Sequence, residues 1–118
     1  MVQMYKVYQI QIDSKLSELI NREGWNCHEK ATAYRDATCG IFDYALDNFD
    51  SVYTHVADVI ADDLDHVFEV GNIGPEDRIV RKGKMTSISV GNVIEDADGV
   101  RSVVANFGFE PVNKEIVF

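Results

Sequence analysis

The chain has 118 residues, 46% of them hydrophobic, with twenty Asp and Glu against eleven Lys and Arg, a formal net charge of −9. That length supports one core without disulfide staples, and that apolar fraction excludes an intrinsically disordered chain. No run reaches the roughly 18 to 20 apolar residues of a membrane span, and an acidic chain is a poor match for DNA phosphates or an anionic membrane.

The first element, Met4 to Ile12, alternates imperfectly. Met4, Tyr8, Ile10 and Ile12 share one face, and Tyr5 and Val7 share the other with Gln9 and Gln11, which predicts a strand largely covered on both sides. Asp13 or Ser14 can cap a short helix carrying Leu16, Leu19 and Ile20, and Gly24 can end it. From Cys27 to Phe49 the period is helical, with Tyr34, Thr38, Ile41 and Ala45 on one stripe and Phe42, Leu46 and Phe49 beside it. Gly40 marks a break or kink in that window.

Val52 to Ile60 reads as a second strand. Asp62 or Asp63 then caps a short helix bearing Leu64, Val67 and Phe68, for which Gly71 is the expected stop, and residues 71 to 77, GNIGPED, form a reversing loop. Only strand signals follow: Ile79 to Lys82, Met85 to Ile94, Val100 to Phe107, and a tail at Glu115 to Phe118. Asp98 and Gly99 supply the positive φ that a tight hairpin between the two long runs requires. The expected order is β-α-α-β-α-β-β-β in a single α+β domain spanning residues 1–118. Its sheet is mainly antiparallel with helices packed on one side, and a small partly closed barrel is the main variant.

Charge divides the domain into an acidic body and a β-rich remainder. Residues 1–77 hold fifteen acids against five bases, a net of −10, whereas residues 78–118 hold five against six, a net of +1. Arg78, Arg81, Lys82 and Lys84 concentrate four of the eleven bases within seven positions.

The run from Arg78 to Val112 resembles small uncharacterised proteins of tailed bacteriophages and mobile elements, including the YodL-like group. The matching residues are Met85, Ser87, Ser89, Val90, Gly91, Asn92, Gly99, Gly108 and Phe109. Tyr5, Val7, Tyr8 and Gln9 are similar to the opening strand of such proteins, as is the segment from Val56 to Asp77 to their phage-type versions. The resemblance implies a viral or mobile-element origin more than an activity. Asn92 stands where an acid is more usual in that group.

Catalytic and metal chemistry find little footing in the residue spacing. Cys27 and Cys39 lie twelve apart, and no Cys-x-x-Cys or His-x-x-x-His pair joins them to His28, His55 or His66, so reduced thiols and no metal site are expected. Asp96, Asp98 and Gly99 lack the remaining ligands of a calcium loop. On a regular strand His55 and Asp58 point to opposite faces, which denies them a dyad. His66 stands near Asp62 and Asp63 at a helix start, and Ser87 and Ser89 fall on the solvent side of a half-buried strand. GNIG follows a helix rather than a strand, the wrong setting for a phosphate loop.

The expected function is therefore a noncatalytic interaction module of phage type, using no cofactor. A protein partner would meet its exposed strands and the basic residues Arg78, Arg81, Lys82 and Lys84, with self-association as a further expectation. The alternative is an acidic DNA mimic that inhibits a host nucleic-acid-binding protein. It would display Asp36, Asp43, Asp47, Asp50, Asp58, Asp62, Asp63, Asp65 and Glu69, with Glu29 just before them. A small enzyme is the third reading, and would need a concave pocket that gathers His55 or His66 with a distant carboxylate. The N-terminus MVQMYKVYQIQID has neither the apolar core nor the cleavage site of a signal peptide, so a cytoplasmic location is expected, that of a host cell if the chain is phage-encoded.

Overall fold

Alternating apolar side chains make the first strand, β1 (Gln3–Ile10), and everything else is arranged around it. In a computed structural model that describes residues 2–112, the chain continues through helices α1 (Ser14–Glu23), α2 (Glu29–Thr38), α3 (Asp43–Asp47) and α4 (Phe49–Val52). Strand β2 (Tyr53–Ala61), helix α5 (Leu64–Ile73) and strands β3 (Ile79–Arg81), β4 (Val93–Glu95), β5 (Arg101–Ala105) and β6 (Gly108–Pro111) follow. All neighbours in the six-stranded sheet are antiparallel, in the order β3-β2-β1-β4-β5-β6. The sheet is open, with β3 and β6 at its edges, so the fold is the α+β arrangement rather than its barrel variant. No helix among the described residues is long and apolar enough to cross a membrane.

The pleat of β1 sends Tyr5 and Val7 to one face and Tyr8 and Ile10 to the other. On the first face they join Val56, Val59, Val67, Val70, Ile88, Ile94 and Val104. On the second they join Ala33, Ala37, Ala45, Val52, Val93 and Val103. The strand is thus covered on both sides from Val7 to Ile10, while Met4 and Lys6 stay exposed on the second face. The helical layer of α2 to α4 lies over the second face, and α5 closes the first together with the segment 85–92.

Local chemistry sets the helix limits. Asp13 Oδ1 accepts from Leu16 N at 2.8 Å to start α1, and Asp63 Oδ1 accepts from His66 N at 2.9 Å to start α5. The expected helical window from Cys27 to Phe49 is divided where Gly40, at φ 88°, ends α2. Ile41 N donates to Asp36 O at 2.8 Å and Gly40 N to Ala37 O at 3.0 Å, the paired bonds of a Schellman end. The division also changes which stripe is buried. Ala33, Ala37 and Ala45 enter the core, while Tyr34, Thr38 and Ile41 remain exposed, because only small side chains let α2 approach the sheet closely.

Three further expectations are corrected. Gly71 does not stop α5, which continues to Ile73 and ends at Gly74, with φ 105°. A Cβ at Gly71 would collide with the side chain of Ile88, so this glycine serves close approach. Met85 to Asn92 is not a ladder strand; regular pairing with β1 begins only at Val93. Val100 to Phe107 is shortened to β5 because the chain turns at Asn106 and Phe107, and Gly108 and Phe109 open β6 instead of ending the preceding strand. Asp98 and Gly99 do join β4 to β5, in a five-residue loop where Asp96 Oδ1 accepts from both Asp98 N and Val100 N at 2.9 Å. The expected tail strand at 115–118 lies outside the described residues.

Candidate functional site

The Met85–Asn92 segment is held by two amides that act as substitute strand partners. Gln9 is buried; its Nε2 donates to Thr86 O at 3.0 Å and Asn92 Oδ1 at 3.1 Å, while its Oε1 accepts from Thr86 N at 3.1 Å. Asn72 of α5 donates to Ile88 O at 3.1 Å and accepts from Ile88 N at 2.6 Å. Buried polar groups need such partners, and here they fasten an irregular segment over the core. Gly91, with φ 96°, lies against Ala37, where a Cβ would come within 2.8 Å of that residue's methyl. Its carbonyl accepts the buried Tyr53 hydroxyl at 2.6 Å, and burial raises the Tyr53 pKa well above the ordinary tyrosine value.

The motif residues therefore have structural work. Met85 packs at the core margin, while Ser87 and Ser89 face solvent on either side of the buried Ile88. Gly99 and Gly108 adopt positive φ at the two hairpin turns. Asn92 uses its Oδ1 as a double acceptor, taking the Gln9 amide and Ser89 N.

Of the four bases singled out by sequence, Arg81 and Lys82 are paired with acids. Arg81 forks onto Glu76, whose carboxyl is held below its ordinary pKa by that hydrogen bond and the guanidinium charge. Lys82 Nζ reaches Asp58 Oδ2 at 3.5 Å, and Arg78 Nη1 donates to Ile60 O at 3.4 Å. Lys84 borders a cleft of about 430 Å³ with Gln11, Ser14, Tyr34 and Thr86, and its carbonyl accepts from Gln11 Nε2. Several acids are likewise engaged: Asp36 meets Arg35 at 3.2 Å, and Asp62 meets His66 at 3.6 Å.

His55 and Asp58 meet although regular strand geometry separates them. Val7 stands opposite Ala57 but Tyr8 stands opposite His55, so Val56 is one residue too many and the strand bulges. Beyond the bulge the side-chain alternation is inverted, and His55 Nε2 lies 2.7 Å from Asp58 Oδ1. Lys82, Asp58, Lys6, Glu95 and Arg101 then form a row of alternating charge across the second face. Lys6 pairs in register with both Asp58 and Glu95, and Arg101 Nε donates to Glu95 Oε1 at 2.8 Å. Arg101 also covers the Phe49 ring at 4.1 Å. Burial, then the Glu95 carboxylate, raises the pKa of Tyr8 beside them. Neither His55 nor His66 borders the cleft beside Lys84 or the groove beside α5.

A different feature, which charge and motif reading missed, combines a groove with exposed aromatic rings. Between α5 and the β5–β6 hairpin runs a groove of about 410 Å³, bordered by Phe68, Ile88, Val90, Val104, Phe109, Asn106 and Asp65. Phe107, at the hairpin tip beside Asn106, is 98% exposed, and Phe68 is 39% exposed. Three of the six phenylalanines thus stand at or beside one opening. The available signal was the pair Asn106 and Phe107 preceding Gly108, which marks a turn with an aromatic residue at its tip.

Among the described residues no group of three or more His, Cys, Asp or Glu could hold a metal ion, and Cys27 and Cys39 are free thiols. No protein-family model matches the chain, and neither a curated protein nor a solved structure matches it.

Proposed function

We propose that this chain is a noncatalytic protein-interaction module, a phage-type accessory protein acting in the host cytoplasm, whose docking surface is the groove between α5 and the β5–β6 hairpin. The observation that carries the reading is Phe107, a large apolar side chain left 98% exposed at a hairpin tip beside a groove already bordered by Phe68 and Phe109. Exposed aromatic rings around a preformed apolar groove are the composition of a binding hot spot. The occupant is a partner segment presenting one large apolar side chain with a Lys or Arg beside it, because Asp65 borders the groove and Glu69 follows one turn later on an acidic protein.

Capture from host lysate, repeated with Phe107→Ser and Phe68→Ala, tests this. A single protein retained by the native chain and released by both variants, at unchanged melting temperature, is expected. Equal retention by both variants would remove the groove from consideration. Acidic mimicry of nucleic acid has weaker support, since Asp36, Asp58 and Asp62 face cationic or histidine partners. Its mark would be capture that collapses with added salt while surviving Phe107→Ser.

A further inference from the structure

The half of the second sheet face away from α2 to α4 carries a bare apolar strip. Met4 is 46% exposed and stands directly opposite the half-buried Ile60. Val80, also 46% exposed, stands opposite Asp58 on the edge strand, and Val2 extends the strip. Alongside runs the row Lys82, Asp58, Lys6, Glu95 and Arg101, three bases and two acids, a local net of +1 on a chain whose total is −9.

We propose that this face is the contact between two copies of the chain, packed sheet on sheet about a two-fold axis. The argument for a second copy is charge. Two chains of net −9 repel across most of their surfaces, but this region is close to neutral. Its alternating row is also self-complementary: a copy displaced by one strand spacing, about 4.8 Å, sets bases opposite acids. A two-fold contact requires that match of a patch with itself. The same offset sets Met4 on β1 against Ile60 on β2 of the copy and covers Val80 beside them, as the inner faces of sandwiched sheets do. The contact is separate from the Phe68–Phe107 groove and does not depend on it.

Sedimentation equilibrium over a concentration series tests the proposal, with the native chain beside Val80→Glu, Met4→Glu and Phe107→Ser. The native chain and Phe107→Ser are expected to dimerise alike. A charge set into the apolar contact should raise the dissociation constant at least about tenfold. Val80 lies on a short exposed edge, so Val80→Glu keeps the test available if Met4→Glu fails to fold, as judged by circular dichroism. A native chain that stays monomeric throughout the series would overturn the proposal. So would a dimer indifferent to Val80→Glu, or one abolished by Phe107→Ser.

Discussion

His55 Nε2 lies 2.7 Å from Asp58 Oδ1, a contact between residues three apart that a regular strand would point to opposite faces. The bulge at Val56 supplies the inversion and gives Asp58 two partners, since Lys82 approaches its other oxygen. Asp58 is only 13% exposed, so its removal leaves a lysine and an imidazole without an acceptor. Asp58→Ala should cost about 1 kcal/mol in urea denaturation, with a coupling of a few tenths to Lys82→Ala in a double-mutant cycle. Strict additivity of the two substitutions would show that the pair contributes nothing.

Gly71 offers a test in which two rules disagree. Helix propensity favours alanine over an interior glycine by about 1 kcal/mol, whereas a Cβ at this position meets Ile88, whose side chain is fixed between α5 and the sheet. Overpacking costs about 1 to 3 kcal/mol and should prevail. Gly71→Ala is therefore expected to lower the denaturation midpoint, and Gly71→Ala with Ile88→Val to recover part of the loss. A more stable single variant would mean that Ile88 moves aside at little cost.

These two sites show what sequence could and could not convey. Caps at Asp13 and Asp63, the Gly24 and Gly40 stops and the Asp98–Gly99 turn were legible because each depends on a few adjacent residues. The α2 stripe is not legible from apolar size, because the residues that α2 buries in the core are the small Ala33 and Ala37. Ser87, Ile88 and Ser89 keep the expected alternation of exposure without being a ladder strand, since alternation reports burial rather than pairing. The His55–Asp58 contact was illegible because one inserted residue inverts the pleat. The groove was illegible too: it unites α5 with a hairpin some forty residues later.

Gln9 bears on the Met85–Asn92 segment directly. Gln9→Ala strips the partner from Thr86 N and one of the two donors from Asn92 Oδ1, a loss of about 2 kcal/mol. Amide exchange should quicken from Thr86 to Asn92 before it does in β1 or β2, because the amide fastens that segment and not the sheet. Uniform acceleration across the domain would instead make Gln9 an ordinary core residue.

Tyr53 sets the alkaline limit of the fold. Burial raises its pKa, so the folded chain retains a proton that the unfolded chain releases above about pH 10. Fewer protons on the unfolded state mean that stability falls as pH rises through that range, and is unaffected by this group below it. Tyr5 and Tyr8 are shifted in the same direction, Tyr5 by burial first and then by Asp63, and they add to the loss. Tyr53→Phe removes the hydroxyl bond to Gly91 O, which should cost about 1 kcal/mol near neutrality. The same substitution should make the alkaline decline shallower, so the native and variant stability curves converge between pH 9 and 11 in urea titrations. Parallel curves over that interval would show that Tyr53 ionises equally readily in both states, and that its ring is less enclosed than its contact with Gly91 implies.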